Sequence, residues 1–415
     1  MGLTMLFLQN RPTPRRNRGL ALTAGVVSFS VISAVLPGSA KAVGSIAPSS
    51  FSTSLNVGEM VTVAKEVFTE AGSALVDILF LADNTGSMGG VINSVKTTSA
   101  SLLSQLNTTF SDARFAVARY FGDPSEFGST AGNPGFDIAY DVLTPLTDST
   151  DSVTSGINSW IASGGGDGPE ANFYALQQAV SNGASTCPGL GSQAGFCGGS
   201  GEAIGWRPGA SKVVLWFGDA TSHQNTVTLD NVKTALSGSK VVALNSTGAG
   251  GGIDGNFQDG GQAGNQASSI VTALGSDAAI FNNFASVPPD NIVTTITELV
   301  GDVTDTIDLS LAVGSGDTSG LDIAFTCTDP LGCDDVTLGD SRTFDMKITA
   351  LTPGTYDFTV IAPGVAGAVE TDSITVRDRD EGPTDTVPGP LPLLGVGAGF
   401  AWSRRLRNRI RTSQG

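Results

Sequence analysis

The chain has 415 residues, enough for one to three domains that each bury a real core. Charged residues make up only 15% and hydrophobic ones 40%, which excludes a disordered acidic chain even though 54 residues are glycine. The net charge of −17 argues against nucleic acid as a main partner, because phosphate binding needs clustered Lys and Arg. The one histidine, His223, excludes a multi-histidine zinc centre or an H-E-x-x-H helix by count alone.

Residues 1–42 carry five basic side chains (Arg11, Arg15, Arg16, Arg18, Lys41) and no acid. An apolar run, Gly19 to Leu36, and then Ser39-Ala40-Lys41-Ala42 follow. That order predicts a secretory signal peptide over 1–42, with an uncut membrane anchor as the alternative. In 43–75, Phe51, Thr53, Leu55 and Val57 alternate, Gly58-Glu59 turns, and Val61, Val63 and Val67 alternate again, which reads as strands.

From 76 to 305 short apolar runs alternate with helical periodicity. Strands are expected at Val76–Ala82, Arg114–Tyr120, Ile138–Val142, Lys212–Phe217 and Lys240–Leu244. Helices are expected through Ile92, Val95, Leu102, Leu106 and Phe110, through Val153, Ile157 and Trp160, and over Ala171–Val180, Gln266–Leu274 and Asn291–Val303. This alternation predicts an α/β, doubly wound, Rossmann-like domain with a mostly parallel sheet covered on both faces. The Gly-rich stretch Gly248–Gly264 reads as a mobile loop, and Asp302, Asp305 and Asp308 as a solvated face.

From Thr306 the period becomes two. Ile307, Leu309, Leu311 and Val313 alternate, as do Phe344, Met346 and Ile348, then Tyr356, Phe358 and Val360, then Ile374 and Val376. Residues 306–378 therefore read as a small all-β, Ig-like sandwich with four or five strands. Either the strands of 43–75 complete it, so that the α/β domain splits its sequence, or they form a separate N-terminal hairpin. Four cysteines allow three pairings; the local ones, Cys187 with Cys197 and Cys327 with Cys333, are favoured in an oxidising compartment.

Residues 379–386 read as a linker. Beyond them, 387–415 hold Val387-Pro388-Gly389-Pro390, a short apolar run to Trp402, and Arg404-Arg405-Leu406-Arg407-Asn408-Arg409. This tail resembles the PEP-CTERM class of bacterial sorting signals, with Gly389 where that class usually has Glu. The resemblance implies an exosortase-type enzyme as a partner, membrane contact through the terminal segments, and a secreted or cell-surface location. A plain C-terminal anchor is the alternative. Without both end segments 12 basic residues face 39 acidic ones, a net charge of −27.

Chemistry concentrates where the predicted strands end. Asp83-Asn84-Thr85-Gly86-Ser87 follows the first α/β strand and sets three oxygens on one loop. Gly164-Gly165-Gly166-Asp167-Gly168-Pro169-Glu170 opens a helix, and Asp219 follows the strand ending at Phe217. In open α/β sheets ligands sit beyond the carboxyl ends of the strands, and hard cations want oxygen shells. These three motifs resemble the metal-ion-dependent adhesion site of von Willebrand factor type A domains, the Gly-Asp-x-Pro-Glu loop being most similar to the integrin β branch. The resemblance spans about 76–305. It implies Mg²⁺, with Mn²⁺ or Ca²⁺ as alternatives, held by Thr85, Ser87 and Glu170 directly and by Asp83 and Asp219 through water. It further implies a second cation site at Asp167, the Pro169 carbonyl and Asp123. The integrin-type acids after the first motif are missing, since Gly89 and Gly90 follow Met88. His223 is expected to pack in a loop near the site.

The expected function is metal-dependent adhesion at the cell surface, capturing an acidic protein ligand or a matrix polysaccharide. The alternative is a structural matrix or envelope component whose metal only stabilises loops. An enzyme is disfavoured, because the sequence offers no well-placed base other than the ligand carboxylates, and type A domains generally bind rather than catalyse.

Overall fold

A computed structural model describes residues 43–122, 139–165, 168–181, 203–258 and 261–378. The expected signal peptide, linker and tail, together with Asp123, Asp167, Cys187 and Cys197, lie outside the described residues. Three strands come first: β1 (Ser45–Ala47), β2 (Ser50–Asn56) and β3 (Met60–Phe68). The α/β region follows as β4 (Leu75–Asp83), α1 (Gly89–Thr109), β5 (Asp112–Tyr120), β6 (Asp141–Thr147), α2 (Thr150–Asn158) and α3 (Asn172–Val180). It continues through β7 (Ser211–Gly218), α4 (Leu229–Ala235), β8 (Lys240–Asn245), α5 (Gln266–Leu274), β9 (Ala278–Phe281) and α6 (Pro289–Val303). The last strands are β10 (Thr306–Ile307), β11 (Ala312–Gly316), β12 (Leu321–Cys327), β13 (Val336–Thr337), β14 (Ser341–Ala350), β15 (Gly354–Ile361) and β16 (Val369–Arg377).

The α/β region forms one six-stranded sheet in the order β6-β5-β4-β7-β8-β9. All pairs are parallel except β5 with β6, at the edge. Residues of the parallel strands alternate between two apolar layers, as a sheet buried on both faces requires. Ile78, Phe80, Phe115, Val117, Val213 and Leu215 face α1, α2 and α6, whereas Leu79, Leu81, Ala116, Val214 and Trp216 face α3, α4 and α5. Chain direction across the sheet reverses at β4, which has β5 on one side and β7 on the other. The carboxyl end of β4 is thus the crevice where such folds bind ligands.

Two further four-stranded sheets are ordered β1-β3-β14-β12 and β11-β15-β16-β2. Strand β3 pairs antiparallel with β14 along its full length, and β2 pairs parallel with β16. Chain segments on both sides of the α/β region therefore share both sheets. Inward residues of the two, such as Val67, Phe344, Met346, Phe358 and Ile374, join one apolar cluster. A disulfide links Cys327 to Cys333 between β12 and β13.

Two expectations need correction. The strand foreseen at Ile138–Val142 runs over Asp141–Thr147 and is antiparallel. Pro145 lies inside it, which an edge strand tolerates because one side needs no amide donor. The alternating run from Ile307 to Val313 is not one strand: β10 ends at Ile307 and β11 starts at Ala312, with Leu309 and Leu311 buried between them. Alternating burial here comes from an irregular segment outside any strand, in which the Leu309 amide donates to the Cys333 carbonyl. Strands β9 and β12 and helix α4 had no counterpart in the sequence reading. Within the described part of the Gly-rich stretch, buried Asp254 accepts the amides of Gly250 and Ser268 at 3.0 and 2.7 Å.

Candidate functional site

Strand β4 is apolar from Ile78 to Ala82 and ends on Asp83, which is fully buried. Its Oδ1 accepts the Thr85 amide at 2.8 Å, folding the chain into a tight turn. One 3-10 turn, Gly86–Met88, then leads into α1. The turn sets Thr85 Oγ1 3.4 Å from Ser87 Oγ, and Ser87 Oγ donates to Asp219 Oδ1 at 3.0 Å. Asp219 is available there because β7, the parallel neighbour of β4, ends one residue earlier. Asn84 ties the turn to the loop after α2: its Oδ1 accepts the Ile161 amide at 2.7 Å and its carbonyl the Ser163 amide at 3.0 Å.

That loop brings in Glu170. Gly164 and Gly165 both take left-handed φ values, 76° and 79°. A Cβ on Gly165 would stand 3.0 Å from Thr85 Cβ and 3.2 Å from Glu170 Oε1, so glycine is needed for the backbone to pass between them. Glu170 is buried and clamped by backbone bonds. Its amide donates to the Thr221 carbonyl at 2.7 Å, and its carbonyl accepts the His223 amide at 3.0 Å. His223 packs edge-on against Phe257, in keeping with a loop-packing role.

The five expected primary ligands, Asp83, Thr85, Ser87, Glu170 and Asp219, thus gather at one strand-end crevice. Among the described residues no three acidic, cysteine or histidine side chains make a metal centre by themselves; the set here mixes carboxylates with hydroxyls. Of the expected second site only Pro169 is described.

Three carboxylates, those of Asp83, Glu170 and Asp219, meet at this crevice. Burial, together with the field of Asp219, pushes the Asp83 carboxyl up to about 7, and burial raises Asp219 as well. Asp83 Oδ2 is buried and makes no hydrogen bond. Such an orphaned oxygen is costly unless an ion or proton satisfies it. The residues present therefore fit a hard divalent cation, which would supply a positive centre for an outside carboxylate.

Sequence reasoning missed Tyr120. It ends β5 beneath the site, fully buried, its hydroxyl donating to the Phe217 carbonyl and accepting the Trp216 indole N–H at 3.1 and 3.0 Å. Burial raises its pKa well above the ordinary value, and the charges of Asp83, Asp219 and Glu170 add to that rise. All three carboxylates therefore bear on one point. A tyrosine at the carboxyl end of a buried strand next to β4 was the available signal.

The sequence matches no protein-family model and no curated protein. Among solved structures, it is similar to a von Willebrand factor type A protein from Catenulispora acidiphila, at 13% identity and a TM-score of 0.36, over 83% of this chain and 76% of that one. It is also similar to the pilus adhesin SpaC of Lactobacillus rhamnosus GG, at 11% identity and a TM-score of 0.34, over 77% of this chain and 45% of that one. A third is proximal thread matrix protein 1 of the mussel byssus, at 15% identity and a TM-score of 0.34, over 59% of this chain and 48% of that one. The chain thus spans under half the length of the last two.

Proposed function

We propose that this protein is an exported, surface-held binding protein of the von Willebrand factor type A kind. Its strand-end crevice would hold Mg²⁺, or Mn²⁺ or Ca²⁺, and grip a carboxylate of an acidic protein or matrix polysaccharide. The observation that carries the reading is the buried Asp83 oxygen without a hydrogen bond, gathered at the β4 switch point with Thr85, Ser87, Glu170 and Asp219. Thr85, Ser87, Glu170, Asp83 and Asp219 would hold the ion, and the ion would supply a positive charge facing solvent. Ser87 is exposed and Asp219 half-buried, so the site opens outward rather than into the core. A body of net charge −27 repels other polyanions unless a divalent cation bridges them.

The pairings of β3 with β14 and β2 with β16 support reading the two four-stranded sheets as one Ig-like sandwich into which the α/β unit is inserted. The basic, apolar and small-residue order of 1–42 and the tripartite tail support export and surface sorting.

Calorimetry with Mg²⁺ and Mn²⁺, followed by binding to an immobilised acidic peptide and a uronate polysaccharide, tests the reading. Metal binding by the wild type, its loss in Asp83→Ala, and probe capture abolished by chelator are the expected results. Capture that persists in chelator overturns it. Metal binding without capture of either probe favours the alternative, a matrix or envelope component with a structural ion.

A further inference from the structure

Lys65 lies on β3 in phase with Val61, Val63 and Val67, the residues that face the interior between the two four-stranded sheets. It is 1% exposed. Across that interior, on the other sheet, β16 turns Glu370, Asp372, Ile374 and Val376 inward. Glu370 and Asp372 are 1% and 0% exposed. Three ionisable side chains thus occupy positions where the neighbours are aliphatic. Lys65 Nζ touches Glu370 Oε1 and lies 3.7 Å from Asp372 Oδ2. Asp372 Oδ1 accepts the Phe51 amide at 2.9 Å, and the Phe51 ring lies 5.6 Å from Nζ.

As an ion cluster this arrangement is poorly made. One ammonium faces two carboxylates, and Glu370 Oε2 and Asp372 Oδ2 are buried without a hydrogen bond. Buried charges persist when every lone pair is satisfied, and replacing them with neutral groups is often stabilising. Burial also pushes the Glu370 carboxyl up to about 7, and the neighbouring Asp372 adds to the rise, so Glu370 readily holds a proton. With one such proton the cluster is neutral overall. It is then equivalent to a free amine beside two carboxylic acids, the reactive forms for amide formation.

We propose that Lys65 and Glu370 condense into an intramolecular isopeptide bond, with Asp372 relaying the protons. Nζ attacks Glu370 Cδ as the neutral amine. Asp372 takes the proton that nitrogen sheds and passes one to the departing hydroxyl, which leaves as water. One C–N bond forms, one C–O bond breaks, Asp372 ends protonated as it began, and no oxidant or outside reactant is needed. The product is a neutral amide joining the two sheets across 305 residues of chain, with the whole α/β region inside the loop. This site is remote from the metal crevice in sequence and role, and it stands whether or not the chain binds metal.

Peptide mapping by mass spectrometry on the full chain tests it without relying on any variant. Digestion of the denatured wild type is expected to release one branched peptide containing Lys65 and Glu370, lighter by one water than its two arms together. Two separate linear peptides of unaltered mass overturn the proposal, as does a branch at Asp372. In Asp372→Asn, folded by circular dichroism, linkage is expected to slow about a hundredfold, as loss of a proton-transferring side chain does. Full linkage at the wild-type rate in that variant removes Asp372 from the mechanism. Lys65→Arg keeps the charge, cannot form this amide, and is expected to give linear peptides only.

Discussion

Asp83 concentrates the energetics of the crevice in one side chain. Its Oδ1 makes the turn and its Oδ2 is buried without a partner, so without metal it costs stability while shaping the loop. Asparagine keeps the carbonyl that accepts the Thr85 amide and removes the buried charge. In chelator, Asp83→Asn is therefore expected to melt at or above the wild-type temperature, and adding Mg²⁺ should raise the wild type alone. A scanning-calorimetry pair with and without Mg²⁺ checks this; a variant that melts lower in chelator and still responds to Mg²⁺ contradicts it. The site motif was legible because Asp83, Thr85 and Ser87 lie within one short loop and Asp219 one residue beyond a clear strand. Lys65, Glu370 and Asp372 escaped notice for the opposite reason. Alternation is read by counting apolar residues, and the polar ones standing in the same phase are passed over.

At the scale of elements, the parallel strands β4, β7 and β8 were readable as continuous apolar runs, since both of their faces are buried. The edges were not. Strand β6 carries a proline and β9 has only four half-buried residues, because each needs a partner on one side only. Helix α2 shows how closely the layers are set. A Cβ on Gly156 would run into Thr144 Oγ1 and stand 3.2 Å from the side chain of Val117. Alanine gains about 1 kcal/mol of helix propensity over glycine, while overpacking costs about 1–3 kcal/mol. Gly156→Ala is accordingly expected to destabilise by up to about 2 kcal/mol in urea unfolding, and a stabilised variant would show that α2 can lift from β5 and β6 freely.

At the scale of the whole molecule, charge and connectivity dominate. Outside the end segments 12 basic residues face 39 acidic ones, so self-repulsion opposes the folded state. Monovalent salt screens it over about 10 Å at 0.1 M. Raising NaCl through that range in chelator is expected to raise the melting temperature, and a flat response would mean that local pairs already balance the acids. The pairing of strands across the α/β region was only half legible: each strand could be seen, but not its partner, because register and neighbours are set by packing and leave no trace in spacing.

That pairing also orders events in time. Strand β3 can meet β1 as soon as both are made, yet β14, the partner of its other edge, starts 273 residues after Phe68. At roughly 5–20 residues per second the wait on a ribosome is on the order of half a minute. The α/β strands pair only with one another and can close within that interval. Strand β3 thus completes its sheet only after the α/β region has been made, and its open edge must be kept from other chains until β14 emerges.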